Sequence, residues 1–349
     1  MTWYIDQGPN SDVIISSRVR LARNLDNYPF PHRMTGSQTR DAATEITTAF
    51  YHDDEGRKSN YLFMDLDTLS NEDKQALAEK RLISTDLAGK GADRRVIISR
   101  NEAVSIMINE EDHIRIQSMQ PGLNLEAAHQ AAAAEALILE SRLPMAYSEK
   151  YGFLTACPTN TGTGMRASVM AHLPGLSLCS RIKNVVEGLN KMGFAVRGNY
   201  GEHSKAQGHL FQISNQLTLG LTEEDLINDL KRMLMQLIEQ ERNVRRELYE
   251  QQPALLEDKI MRAYGILSNA RMMTNEEAVT LLSSLRLGLA LGLLPQLTAS
   301  DVNRILSAIG PASIQKAGGR PMTPEERDRA RAAVIREIIN KTETGGIKE

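Results

Sequence analysis

The sequence predicts an α+β fold: an antiparallel β-sheet flanked by helices, followed by an all-helical C-terminal domain. Short β-rich segments alternate with helical patterns before about residue 220, whereas the apolar spacing after it is helical throughout. The strand candidates follow one another too closely for regular βαβ units, which favours antiparallel pairing. Because 349 residues exceed one ordinary core, we expect one domain over 1–220 and a helical domain over 221–349.

Seven short segments of apolar and β-branched residues are predicted as strands. They are Val13–Ile15, Tyr61–Met64, Val96–Ile98, Val104–Ile108, His113–Gln117, Ser168–Met170 and Leu210–Ile213. Polar and apolar residues alternate in the fifth segment, so His113, Arg115 and Gln117 share one strand face. His113 either orients a neighbouring group or is a structural histidine.

Helices are predicted where apolar residues recur at helical spacing, over about 124–141 and 176–192. The second is expected to end at Gly193, the residue type that commonly terminates a helix. Three capping sequences predict further helix starts, at Thr222, Thr274 and Thr323.

Composition and charge exclude several classes of protein. The net charge of −3 argues against nucleic acid or an anionic membrane as the main partner. Cys157 and Cys179 are too few for a disulfide framework, which favours a reducing, cytoplasmic setting. The N-terminus has no secretory signal pattern, and the most apolar run, Leu287–Leu294, is eight residues, too short to span a membrane.

Four segments place arginines in unusual local sequences. They are Ser16–Arg20, Asn109–Arg115, the Gly/Thr-rich turn Cys157–Arg166, and the predicted loop Val196–His203. Arg18 and Arg20 are two positions apart, so they share one face of a strand. The sequence contains neither the phosphate-binding loop of P-loop enzymes nor the motifs of protein kinases.

These four segments, in this order, resemble those of the ATP:guanido phosphotransferase family, and the resemblance covers about residues 11–220. Within the family, the sequence is similar to bacterial protein arginine kinases. The first arginine motif begins at residue 16, which leaves no room for the helical domain that precedes it in creatine and arginine kinases. The C-terminal part contains Arg327-Asp328-Arg329-Ala330-Arg331-Ala332, which matches the RDxxRA motif of protein arginine kinases.

The resemblance implies that ATP is the phosphoryl donor and that its Mg²⁺ is held mainly by phosphates and water. Arginine side chains suit this task, because guanidinium groups stay charged and bind phosphate oxygens in pairs. The residues implied to contact the nucleotide are Ser17, Arg18, Val19, Arg20, Leu21, Arg115, Arg166, Ala167, Ser168, Val169, Met170, Arg197, Gly198, Asn199, Tyr200, Gly201 and Glu202.

The resemblance implies Glu111, Glu202 and Cys157 as the catalytic residues. A protonated guanidinium is not a nucleophile, so a site that phosphorylates it must orient it, hold its charge and accept a proton. Two carboxylates can do this by paired hydrogen bonds and general-base action. A thiolate at Cys157 would add negative charge beside the reacting nitrogen.

The sequence departs from the family pattern at one position near the expected adenine site. Where family members show Lys-His-Leu-Ile-Ser, this chain has Lys80-Arg81-Leu82-Ile83-Ser84. Arg81 either stacks on the base in place of the histidine or the contact is lost. His203, next to Glu202, is a candidate ribose contact.

The function implied by the resemblance is a protein arginine kinase that marks proteins for stress-response regulation and Clp-type degradation. Two alternatives stay open: a kinase of free arginine or another small guanidino compound, and a non-catalytic adaptor that binds phosphoarginine. The implied partners are arginine-bearing protein substrates, a heat-shock repressor, an activator protein and a Clp unfoldase-protease.

The helical domain is expected to mediate a homodimer and to bind phosphoarginine as an allosteric effector. The apolar segment 281–294 is either the dimer surface or the core of that domain. Arg327, Asp328 and Arg331 lie three and four positions apart, so they can converge on one helix face. They form either a solvated ion-pair network or a site that binds the phosphate and the guanidinium of phosphoarginine.

Overall fold

The computed structural model describes residues 3–52, 54–89, 91–198 and 207–345. Within them lie the strands β1 (Ile14–Arg23), β2 (Tyr61–Asp65), β3 (Arg95–Ser99), β4 (Val104–Ile108), β5 (Ile114–Pro121), β6 (Tyr147–Ser148), β7 (Gly152–Phe153), β8 (Met165–His172), β9 (Phe194–Gly198) and β10 (Leu210–Asn215). Eight of these form one sheet in the order β2-β3-β4-β5-β1-β8-β10-β9, and β6 pairs with β7 in a hairpin. Every neighbouring pair in the large sheet is antiparallel, which confirms the predicted fold class.

The helices of the same described residues are α1 (Gly36–Tyr51), α2 (Glu55–Asn60), α3 (Asn71–Glu79), α4 (Thr85–Ala88), α5 (Leu125–Glu140), α6 (Pro174–Leu178), α7 (Ile182–Lys191), α8 (Glu223–Gln251), α9 (Pro253–Asn269), α10 (Asn275–Ala290), α11 (Ala299–Ala308), α12 (Pro311–Gly318) and α13 (Pro324–Gly345). All three predicted N-caps are present. The Thr222 hydroxyl accepts from the Asp225 N–H, and Thr274 and Thr323 accept from the corresponding N–H groups of their own helices.

One face of the sheet packs against helices and forms the first hydrophobic core. Along β1, Val19 and Leu21 are buried on this face and join apolar residues of α5 and α8. Because side chains alternate along a strand, Arg18 and Arg20 point to the opposite face. The core therefore fixes which side of the sheet carries the arginines.

Two local predictions are wrong. The helix predicted over 176–192 is interrupted after Leu178, because Ser180 adopts a left-handed backbone (φ 58°) that cannot continue a helix. Its predicted end is correct, since Gly193 has φ 84°. Residues 196–198, predicted as part of a loop, instead belong to the edge strand β9, which pairs with β10.

The two hydrophobic cores divide later in the chain than the change in secondary structure. Helix α8 follows residue 220, yet its buried residues from Leu226 to Val244 belong to the core of the sheet. The second core begins at Leu256 and includes Leu282, Leu285 and Leu287 of the apolar segment 281–294. Packing thus places the division near residue 252. Among the described residues, no helix combines the length and apolar character needed to cross a membrane.

Candidate active site

Five arginines share the open face of the sheet and line one cleft of about 1020 Å³. They are Arg18 and Arg20 on β1, Arg115 on β5, Arg166 on β8 and Arg197 on β9. The antiparallel register brings them together: Arg20 lies directly opposite Arg166, and Arg115 lies opposite Ala22. The sheet thus gathers residues that are up to 179 positions apart (197 − 18) into one surface.

Polar side chains on neighbouring strands hold these arginines in place. Arg18 donates from Nε to the Ser168 hydroxyl at 3.3 Å and from Nη2 to Oε1 of Gln212 at 2.9 Å. Arg166 donates from Nε to the Ser214 hydroxyl at 3.4 Å. The guanidinium planes are therefore set by the sheet before any ligand arrives, which reduces the entropy lost on binding.

The positive charge in the cleft favours an anionic ligand. Burial, and then the like charges of Arg81, Arg115 and Arg166, lower the pKa of Arg18. The pKa of Arg20 is also lowered, mainly by burial and then by Arg18. The buried Nε of Arg20 has no hydrogen-bond partner within the described part of the chain. Crowded cations with an unsatisfied donor fit the phosphate oxygens of a nucleotide.

Glu111 stands at the edge of this cluster and lines the same cleft. Its Oε2 accepts from Nη2 of Arg115 at 3.3 Å, and its side chain is 45% exposed. Burial raises the pKa of Glu111 above its usual range, and the charge of Arg115 opposes this effect. A partly exposed carboxylate with a raised pKa is suited to accept a proton from an incoming group.

Cys157 also lines the cleft, at the start of the short 3₁₀ turn Pro158–Asn160. Its Sγ lies 3.1 Å from the Thr159 hydroxyl. The preceding residue is held by the segment just before β5, because the Ala156 N–H donates to Oδ1 of Asp112 at 2.7 Å. Because Asp112 directly follows Glu111 in the sequence, this hydrogen bond fixes the position of Cys157 relative to Glu111. These are the two predicted catalytic residues that lie within the described part of the chain.

Several residues in the implied nucleotide set do not reach the cleft with their side chains. Val19, Leu21, Ala167 and Val169 lie in the hydrophobic core. The buried Ser17 hydroxyl donates to the Gly122 carbonyl and accepts from the Asn124 N–H, on that same side of the sheet.

The remaining residues of the set are placed as follows. Met170 lines the cleft, Ser168 contacts Arg18, and Gly198 ends β9. Asn199, Tyr200, Gly201 and Glu202 lie outside the described residues, as does His203, the candidate ribose contact.

Two buried acidic residues beside the cleft were missed by sequence reasoning. Glu110 is almost fully buried; its Oε1 accepts from Nη1 of Arg115 and from the Ser84 hydroxyl, each at 2.5 Å. It is therefore the closer partner of Arg115, ahead of Glu111. Asp112 is the other. Both are neighbours of Glu111 in the acidic run 110–112, from which the resemblance implies Glu111 alone. Sequence spacing does not tell which carboxylate of such a run is buried.

The structure answers the question about His113 and gives the position of Arg81. His113 accepts the Leu25 N–H at Nδ1 (3.0 Å), and its Nε2 lies 2.9 Å from the Pro29 carbonyl. Burial lowers the pKa of His113 to about 4, as for a structural, neutral histidine. Arg81 lines the cleft, and its backbone is left-handed (φ 62°).

The second predicted site lies in helix α13 and is partly committed to holding the helical domain together. Arg331 is buried and donates to the carbonyls of Ile309 and Met273, each at 2.8 Å, and to Asp328 at 2.5 Å. Arg327 donates to the Met322 carbonyl at 2.9 Å. Asp328 and Arg331 thus converge as predicted from their spacing, while Arg327 turns towards the start of its helix.

Comparison with known proteins agrees with this geometry. Residues 41–244 match the family model described as the ATP:guanido phosphotransferase, C-terminal catalytic domain. Residues 253–349 match the protein-arginine kinase McsB C-terminal domain. These two ranges meet near residue 252, where the hydrophobic cores divide.

Two relatives of nearly equal length are both described as protein-arginine kinases. A protein-arginine kinase of Geobacillus stearothermophilus is 43% identical over 337 residues, which cover 97% of this chain and 93% of that protein. A protein-arginine kinase of Moorella thermoacetica is 44% identical, with 97% of each chain covered.

Two solved kinase structures share the fold. A taurocyamine kinase from Schistosoma mansoni, solved with transition-state analogue components, superposes with a TM-score of 0.58 at 27% identity, over 68% of this chain and 34% of that one. A lombricine kinase superposes with a TM-score of 0.58 at 26% identity, over 69% of this chain and 71% of that one. The chain therefore belongs to the ATP:guanido phosphotransferase family and is a phosphotransferase whose C-terminal part matches the protein-arginine kinase domain.

Proposed function

We propose that this enzyme transfers the γ-phosphoryl group of ATP to the guanidinium group of arginine residues in proteins. The observation that carries the proposal is the cleft itself, where five arginines surround a space that Glu111 and Cys157 also line. Relatives described as protein-arginine kinases, matched over nearly their whole length, support a protein acceptor over a small guanidine compound.

The arginines bind and align the triphosphate. Arg18 and Arg20 lie at the centre of the sheet, with Arg115 and Arg166 on the strands to either side. Phosphoryl transfer depends mainly on such alignment and charge stabilisation. Within the described ranges no cluster of three or more His, Cys, Asp or Glu residues could hold a metal ion. Mg²⁺ in this proposal is bound by phosphate oxygens and water, and supplies further charge neutralisation when present.

The acidic side of the cleft receives the acceptor. A guanidinium nitrogen forms a bond to the γ-phosphorus as the bond from that phosphorus to the bridging oxygen of ADP breaks. The nitrogen's proton passes to a carboxylate, for which Glu111 lies in the cleft, and Glu202 remains a predicted second base. Cys157 contributes polarity beside the reacting nitrogen in this arrangement.

The product distinguishes the proposal from its rivals. Enzyme incubated with γ-³²P ATP and an arginine-rich protein should label the protein, and the label should be lost in warm acid but survive mild base, because a phosphoramidate nitrogen leaves once protonated. Labelling of free arginine alone would favour a small-guanidine kinase. No ATP turnover with either acceptor, together with binding of phosphoarginine, would favour an adaptor.

The proposal extends to product binding in the helical domain. A phosphoryl group needs a cation and the attached guanidinium needs a carboxylate, and Arg327, Asp328 and Arg331 supply both on α13. The partly exposed Asp328 is the member to change, since Arg331 also supports the fold. Asp328→Ala should weaken phosphoarginine binding in calorimetry while basal kinase activity persists, and unchanged binding would exclude this site.

The family resemblance adds a cellular setting to the proposal. In this setting the enzyme is a cytoplasmic homodimer that acts in the stress response. Its partners are a heat-shock repressor, an activator protein and a Clp unfoldase-protease. Sedimentation at micromolar concentration tests the dimer, since a monomer would contradict it. Purification of the three partners with an epitope-tagged enzyme after heat shock tests the rest.

A further inference from the structure

The helical domain lines the same cleft as the arginines. The contributing residues are Asn275, Val279, Asn303, Leu306, Ser307, Ile309, Gly310 and Pro311. The last three lead from α11 into the first residue of α12 and are here called the 309–311 turn. The catalytic cleft is therefore a shared feature of both domains.

Glu79, at the end of α3 in the sheet domain, binds the first turn of α12, directly after the 309–311 turn. Its carboxylate accepts three hydrogen bonds of 2.8 Å, from the backbone N–H groups of Ala312 and Ser313 and from the Ser313 hydroxyl. A carboxylate in this position satisfies the free N–H groups at the start of α12 and complements the helix dipole. The approach is so close that a Cβ added at Gly310 would lie 2.1 Å from the Glu79 carboxylate.

Arg331 holds the turn from the other side. Its buried guanidinium donates to the Ile309 carbonyl at 2.8 Å and is itself bound to Asp328 and the Met273 carbonyl. The 309–311 turn is thus fixed between a carboxylate of the sheet domain and a guanidinium of the helical domain.

The same grip places the turn beside Arg81. Arg81 is two residues beyond Glu79, a separation that the chain can span over at most about 7 Å. Its left-handed backbone lets its carbonyl accept from Nε2 of Gln117 at 2.6 Å, and both residues line the cleft. Ile83, also in the cleft, adds an apolar surface in this region.

We propose that the 309–311 turn forms one wall of the binding site for the base and ribose of the nucleotide, and that Glu79 is the positioning residue of this wall. The inference rests on the proposed function, in which the arginine cluster takes the phosphates. The remainder of the nucleotide then needs a surface that is mainly apolar with a few polar groups. Leu306, Ile309 and Ile83 provide the apolar part, and the Arg81 guanidinium can lie over a base.

Binding of two different ligands distinguishes the positioning role of Glu79 from a general structural role. ADP carries base, ribose and phosphates, whereas inorganic tripolyphosphate carries phosphates alone. In calorimetry on the full chain, Glu79→Ala should weaken ADP binding by about fivefold or more, in the range of typical coupling between sites. It should leave tripolyphosphate binding within about twofold. In steady-state assays the KM for ATP should rise more than kcat falls.

A second variant disturbs the contact between Glu79 and the 309–311 turn without removing a charge. Gly310→Ala adds one methyl group that displaces the Glu79 carboxylate, and should reproduce the selective loss of ADP binding. Gly265→Ala in α9 is its matched control, because a Cβ there meets nothing within 4 Å. Lys316→Ala is the control for Glu79, since it removes the exposed 2.8 Å ion pair with Asp73 between the same two helices.

The outcomes are distinguishable. Unchanged ADP affinity in both Glu79→Ala and Gly310→Ala would overturn the inference, as would equal weakening of ADP and tripolyphosphate or an equal effect of Lys316→Ala. If the wild-type chain binds neither ligand, the proposed function itself fails, and this inference fails with it.

Discussion

Asp112 joins the two parts of the candidate active site, and its replacement gives a sharp test of the geometry. The carboxylate is fully buried and uses only one oxygen: Oδ1 accepts from Nδ2 of Asn24 at 2.6 Å and from the Ala156 N–H at 2.7 Å. Its Oδ2 is buried without a hydrogen-bond partner in the described chain. An asparagine can keep both bonds at Oδ1 and place its amide nitrogen where Oδ2 was.

The two obvious variants should therefore differ. Asp112→Ala removes the acceptor of two hydrogen bonds to a charged group, each worth about 1.5–3 kcal/mol, so the free energy of unfolding should fall by about 3–6 kcal/mol. Asp112→Asn keeps the acceptor and removes a buried charge, so we expect a loss below about 1.5 kcal/mol. The Cys157 loop should be displaced in the first variant only.

The pH dependence supplies an independent check. Burial raises the pKa of Asp112 above 3.8, against the hydrogen bonds that lower it. The folded state then binds more protons than the unfolded state, so this group makes stability fall as pH rises from 3.8 through the folded pKa. Asp112→Asn should lack that part of the slope.

Urea unfolding of the wild type and both variants, at several pH values between about 3.5 and 7, measures all three quantities. Fluorescent labelling of Cys157 reports the displacement of its loop. Equal destabilisation by asparagine and alanine would refute the reasoning, because it would show that the charge at Asp112, rather than the acceptor, stabilises the fold.

Three further substitutions test other residues. Glu111→Gln should lower kcat by about 10²–10⁴-fold through loss of a base, while the Kd for ADP stays near that of wild type; a near-normal kcat would remove Glu111 from the mechanism. Cys157→Ala should be milder in kcat, since a thiol there adjusts the charge around the nitrogen, and a loss as large as that of Glu111→Gln would contradict this ranking. Arg331→Ala removes the buried donor to Ile309 and Met273 and should cost about 3–5 kcal/mol in urea unfolding, and an unchanged midpoint would show that these bonds are not structural.

Alternation along β1 explains both what the sequence could predict and where it misled. The i, i+2 spacing of Arg18 and Arg20 correctly places both in one cleft. The same alternation puts Val19 and Leu21 in the core, although the family resemblance placed them in the nucleotide set. A contact list transferred by resemblance does not separate backbone neighbours from side chains that reach a ligand.

Other features depend on tertiary contacts that a local pattern does not contain. The amphipathic spacing of α8 predicts a buried face but not the surface it packs on, which is the sheet. Glu79 and Ser313 are 234 positions apart, so nothing local indicates that α12 reaches the cleft. The left-handed turn at Ser180 is likewise invisible to propensity, because serine seldom adopts it.

The placement of α8 decides where the chain can be cut into pieces for expression. A fragment ending near residue 220 would lack Leu230, Leu234 and Leu237 and would expose the apolar side of the sheet to water, inviting aggregation. A fragment ending at Gln252 keeps that cover and the Arg245 contacts to the Asp12 and His172 carbonyls. The fragment ending at Gln252 should therefore stay in solution without the helical domain. It would give crystallographers an arginine cleft that is open on the side where the 309–311 turn lies in the full chain.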